Sequence, residues 1–140
     1  MRFLSFGFFF SLCFLIFSCT TSEKKEGSAP EKINVTLSPE AFKSKLESTP
    51  GAVVVDVRTP EEISTGFIKG AINIDFKDPT FEENIKTLDK SKPYFVYCLS
   101  GKRSGSAAEI MEEAGFNEVY TLEDGLQRWR KEDLPTIQPQ

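Results

Sequence analysis

With 140 residues the chain has room for one domain of ordinary size and not for two. Hydrophobic residues make up 39% and charged residues 27%, a globular balance, and 17 basic against 21 acidic residues give a formal charge of −4 that excludes a nucleic-acid-binding surface of the usual basic kind. The chain has no histidine, which rules out a Cys–His dyad, an imidazole proton shuttle and the commonest metal ligand together; its three cysteines, Cys13, Cys19 and Cys98, lack zinc-site spacing.

In chain order, Met1 and Arg2 precede a run from Phe3 to Phe17 made only of apolar and small residues. Its fifteen residues fall short of the ~20 that a membrane-spanning helix needs, so a cleaved signal over residues 1–18 is expected. Ile16, Phe17, Ser18 and Cys19 resemble the lipobox of bacterial lipoproteins, although Phe17 stands where a smaller residue is usual. That resemblance implies lipidation at Cys19, with the domain held at a bacterial membrane, in the periplasm or otherwise outside the cytoplasm. Residues 19–31, rich in Ser, Thr, Lys, Glu and Gly, read as a flexible tether, and residues 32–137 as the folded domain. Cys98 is then the one thiol of the mature domain.

From Ile33 onward, short β-branched runs alternate with amphipathic stretches, the pattern of an α/β domain with a mostly parallel central sheet and helices on both faces. Ile33–Val35 is a weak first strand. Ser38 and Pro39 open a helix reaching about Glu47, with Ala41, Phe42 and Leu46 on one face. Ala52–Val57 reads as a strand buried on both sides, followed by Thr59 and Glu62 in capping-box spacing. Ala71–Ile74 is expected to be a second short buried strand. Asp78 and Pro79 are expected to open a helix carrying Phe81, Ile85 and Leu88 inward. Tyr94–Cys98 is the next strand, Ser104–Ala114 a helix ended at Gly115, Glu118–Leu122 the last strand and Leu126–Lys131 the closing helix.

The order strand, Cys98, Gly- and Ser-containing loop, helix N-terminus is the feature that carries chemistry. Sites in open parallel sheets form outside the carboxyl ends of strands, where turn amides and the unsatisfied donors of a helix start converge on negative charge. Those donors, with Lys102 and Arg103 nearby, should favour the nucleophilic thiolate without any histidine. Such a thiolate suits attack on the outer sulfur of a sulfane donor, forming a persulfide in a ping-pong sequence.

Cys98, Gly101, Arg103 and Ser104 match the rhodanese pattern of Cys, two variable residues, Gly, one variable residue, Arg and Ser. Asp56, Val57, Arg58, Pro60, Glu61 and Glu62 resemble that family's first signature. Gly66, Ile68, Gly70, Ala71, Ile72 and Asn73 resemble the second, and Gly125, Trp129, Leu134 and Pro135 the closing one. The resemblance implies a compact α/β domain, a persulfide on Cys98, no metal or other cofactor, a small sulfur-containing anion such as thiosulfate as donor, and a thiol or cyanide as acceptor. It makes Leu99, Ser100, Gly101, Lys102, Arg103 and Ser104 the substrate-binding loop, with Asp56, Arg58 and Glu62 in support. Arg103 is expected to orient the loop by pairing with a carboxylate such as Glu62, or else to meet the donor anion; Trp129 is expected in the core. Phe67 stands where the family usually has histidine, and Leu99 where a polar or basic residue is common, which suggests a less charged acceptor or a protein surface.

Two other readings compete. Related folds that hydrolyse phosphate or reduce arsenate have five residues between Cys and Arg, whereas Leu99 to Lys102 are four, a tighter ring suited to one sulfur. A non-catalytic binding module with an incidental cysteine is the alternative of a different class. A dithiol oxidoreductase lacks a resolving cysteine in the mature domain.

Overall fold

The computed structural model describes residues 31–139, so the expected signal segment, Cys19 and nearly all of the tether lie outside the described residues. Five parallel strands form one sheet: β1 (Ile33–Leu37), β2 (Val53–Asp56), β3 (Ile72–Asn73), β4 (Pro93–Tyr97) and β5 (Glu118–Leu122), in the order β1-β5-β4-β2-β3. Five helices connect them: α1 (Pro39–Ser48), α2 (Pro60–Ile63), α3 (Phe81–Lys86), α4 (Lys102–Glu113) and α5 (Gly125–Lys131). Because every strand points the same way, all the carboxyl ends meet at one pole.

Period-two alternation sorts the sheet's side chains into two cores. Val55, Val57, Tyr94, Val96, Cys98 and Val119 pack against α3 and α4 through Phe81, Ile85, Ala107, Ala108 and Met111. Val54, Phe95, Tyr97, Tyr120 and Leu122 pack on the other face against Phe42 of α1 and Leu126 and Trp129 of α5. The small pair Ala107 and Ala108 lets α4 lie close to the sheet. On the opposite face the Phe42 ring meets Phe95 and Trp129 edge-on at 5.2 and 6.2 Å. Burial of each such ring contributes about 1.5–3 kcal/mol, so this face is anchored mainly by aromatic area.

The helix starts follow their local chemistry. The Ser38 hydroxyl accepts from Ala41 N at the head of α1. Thr59 and Glu62 form the reciprocal capping box of α2, at 3.4 and 3.1 Å. The expected buried strand at Ala71–Ile74 is corrected: β3 is only Ile72–Asn73, both exposed, because it is the sheet's edge and pairs with β2 alone. Asp78 and Pro79 do not open a helix either. Asp78 accepts from Thr80 N and Oγ1 at 2.8 Å in a side-chain-closed turn, and α3 starts at Phe81. The helix after Cys98 begins two residues earlier than expected, at Lys102, because Gly101 adopts the left-handed conformation (φ 85°) that turns the chain directly into α4.

Candidate active site

Cys98 follows the last residue of β4 at the carboxyl pole, and Tyr97 before it is fully buried. The carbonyls of Cys98 and Leu99 turn toward α5, accepting from Leu126 N at 2.8 Å and Gln127 N at 3.0 Å. None of the N–H groups of Leu99 to Ser104 donates to a protein group among the described residues. Two of the loop's carbonyls are thus tied to α5 while its N–H groups carry no protein partner, an arrangement suited to stabilising an anion.

Two glycines make this geometry possible. A β-carbon on Gly125 would lie 2.5 Å from the Cys98 carbonyl oxygen and 2.6 Å from that of Leu99, so no other residue allows α5 to reach the loop so closely. A β-carbon on Gly101 would likewise lie 3.2 Å from Asp124 N. The closing signature alone gives Gly125 no role; its role is visible only once β4 and α5 are neighbours.

Cys98 has no solvent-exposed surface. Leu99, Ser100 and Lys102, which follow it in the loop, are exposed. The Ser104 hydroxyl lies 3.6 Å from the Cys98 Sγ and 3.0 Å from the Gly101 carbonyl.

Arg103 points to the side of the loop, where its Nη1 and Nη2 donate to Glu62 Oε2 and Oε1 at 2.7 and 2.6 Å. Of the two expected partners, the one that Arg103 meets here is the Glu62 carboxylate. Glu62 is held in place by the α2 capping box, since the same Oε2 accepts from Thr59 N. The Arg103 fork brings the Glu62 carboxyl down to about 2, aided by Thr59 N–H and opposed by partial burial. Arg103 is in turn held charged, first by Glu62, with smaller contributions from Cys98 and Asp75.

Behind this pair lies a second one. Arg58 and Asp56 are both buried, with Arg58 Nε 3.0 Å from Asp56 Oδ1 and Nη2 2.6 Å from Oδ2. The remaining Arg58 donors reach the carbonyls of Glu62 and Gly66 at 3.0 and 2.9 Å. Its guanidinium lies 5.8 Å from the centre of the Tyr97 ring, and the Tyr97 hydroxyl accepts from Ile68 N at 3.1 Å. Burial, then Asp56, pushes the Tyr97 phenol up, keeping it neutral. Asn73 closes the turn by donating to the carbonyls of Asp56 and Arg58, both at 2.8 Å. Neither Tyr97 nor Asn73 was singled out from sequence as a supporting residue.

Phe67 sits beside this corner. Its backbone pairs with Ile137, and it lines a small cavity of about 70 Å³ with Asp56, Ile63, Ala71 and Asn73. Trp129 is in the core and donates through Nε1 to the Pro135 carbonyl. Among the described residues no three potential ligands gather as a metal site would require.

A protein-family model described as the rhodanese-like domain matches residues 38–132. Among curated proteins, YtwF of Bacillus subtilis is 36% identical over 99 residues, covering 71% of this chain and 93% of that relative. The thiosulfate sulfurtransferase GlpE of Pseudomonas putida is 36% identical over 86 residues, covering 61% of this chain and 76% of that enzyme. The crystal structure of a rhodanese-related protein from Thermoplasma volcanium matches with a TM-score of 0.66 at 30% identity, covering 74% of this chain and 98% of that one.

Proposed function

The chain belongs to the rhodanese-like family, and on that premise we propose that it is a sulfurtransferase in which Cys98 takes sulfane sulfur from thiosulfate or a similar anion and passes it to a thiol or cyanide. The observation that carries this reading is the loop itself. Cys98 stands at the end of β4 and is followed by amides without a protein partner that lead directly into the N-terminus of α4. In the first half-reaction the Cys98 thiolate attacks the outer sulfur of thiosulfate; a new S–S bond forms, the old one breaks, and sulfite departs with its electron pair. In the second, the acceptor nucleophile takes the terminal sulfur and Cys98 leaves as thiolate. The amides and helix donors stabilise the anionic sulfur in both. Arg103, forked to Glu62, positions the loop, while Lys102 offers an exposed cation to the approaching donor.

Steady-state assays with thiosulfate and cyanide test this: parallel double-reciprocal lines and thiocyanate formation support it, and their absence with every sulfane donor overturns it. The complete burial of Cys98 favours one other reading, a binding module whose cysteine is structural. That reading predicts no sulfur transfer at all. For the N-terminal segment, we propose lipidation at Cys19 and a tethered domain outside the cytoplasm. The motif Ile16–Phe17–Ser18–Cys19 supports this, and the mass of the mature protein extracted from membranes tests it.

A further inference from the structure

The Ser104 hydroxyl lies between two acceptors, 3.6 Å from the Cys98 sulfur and 3.0 Å from the Gly101 carbonyl, and Ser104 has no exposed surface. One hydroxyl has one proton, so it serves one of them at a time. The Gly101 carbonyl also accepts from Gly105 N at 3.0 Å, so it keeps a partner when the hydroxyl turns away. Turning therefore orphans no acceptor, and the charge on sulfur alone decides the direction. Among the described residues no other side chain donates to the sulfur: the chain has no histidine, and Arg103 is committed to Glu62.

We propose that Ser104 is a catalytic residue, a two-position donor whose hydroxyl turns from Gly101 to Cys98 whenever the sulfur is anionic. This rests on the sulfur-transfer reading and gives that site its side-chain donor. When Cys98 is a thiol or the inner sulfur of a persulfide, the hydroxyl donates to Gly101. When Cys98 is a thiolate, as nucleophile in the first half-reaction and leaving group in the second, it donates to sulfur. The hydroxyl keeps its proton throughout; only the S–S bonds already described form and break.

The test compares wild type, Ser104→Ala and Ser104→Thr by two readouts, the pH dependence of Cys98 alkylation by iodoacetamide and the turnover of thiosulfate with cyanide. The Ser104→Ala protein is expected to alkylate about tenfold more slowly at neutral pH, as loss of one hydrogen bond to a charged group implies, and to converge on the wild-type rate in strongly alkaline buffer. Its kcat should fall by a similar factor while the thiosulfate KM moves by less than about twofold, and Ser104→Thr should restore most of both. Equal alkylation of wild type and Ser104→Ala at every pH overturns the proposal, as does a deficit undiminished in alkali or a Thr variant that melts like wild type yet restores nothing. Should Ser104→Thr not fold, the alkylation profile of Ser104→Ala decides alone. Alkylation needs no sulfur donor, so the expected profile without any thiocyanate would overturn the sulfur-transfer reading and the catalytic role with it, leaving Ser104 only as a donor to the Cys98 thiolate.

Discussion

Arg58 and Arg103 each meet a carboxylate at the same corner of the molecule, but in different surroundings. The Arg58 and Asp56 side chains are both 1% exposed, whereas Arg103 and Glu62 are 20% and 26% exposed. The inner pair is saturated: Arg58 also serves the carbonyls of Glu62 and Gly66, and Asp56 also accepts from Arg58 N at 3.0 Å. The outer pair is one fork between the loop and the first turn of α2. A buried pair of this kind fixes a fold corner and punishes the loss of either partner, while a half-exposed one adds little stability and works through position. The inner pair thus builds the ledge from which the outer pair holds the loop.

Breaking the inner pair should have the largest effect. Arg58→Met leaves the Asp56 carboxylate buried without its cation, and urea denaturation is expected to show a loss of about 3–5 kcal/mol, less when Asp56→Leu accompanies it. Gly125→Ala comes next. Its methyl group would sit 2.5 Å from the Cys98 carbonyl oxygen, so α5 or the loop must move, and stopped-flow sulfur loading should slow by at least about tenfold. Arg103→Lys keeps the charge and loses the fork. Loading should fall about tenfold while stability stays within about 1 kcal/mol of wild type; a variant that lost stability but loaded normally would invert the assigned roles.

The smallest effect is acidic. Glu62 titrates at about 2 in the folded protein against an ordinary 4.5, so folding favours its ionised form. Its contribution is complete above pH about 4.5 and is lost as pH falls toward about 2, where both states bind the proton. Glu62→Gln should therefore show a shallower fall in stability across that window than wild type, measured by thermal melts at stepped pH.

Much of this corner was legible in the sequence because its signals are local. Thr59 and Glu62 are three residues apart and specify their own cap, and Asp56 and Arg58 share a strand end. The buried valines of β2 and the alternation of β4 follow from short-range pattern. Long-range facts were harder to read. Ile72 and Asn73 look like a core strand until the sheet order puts them at the edge. The closeness that requires Gly125 arises between segments far apart in sequence, and the Asn73 amide reaches two carbonyls that only folding brings together. The pattern starts the helix after Cys98 at Ser104, two residues late, because it does not reveal that left-handed Gly101 turns the chain into α4 at Lys102.

The central claim is that Cys98 carries the transferred sulfur, and intact-mass measurement after incubation with thiosulfate and removal of excess donor tests it most directly. The wild-type domain should gain the mass of one sulfur atom, lose it on addition of cyanide, and show no gain as Cys98→Ala. A gain that persists in Cys98→Ala, or no gain in the wild type with any sulfane donor, would contradict it.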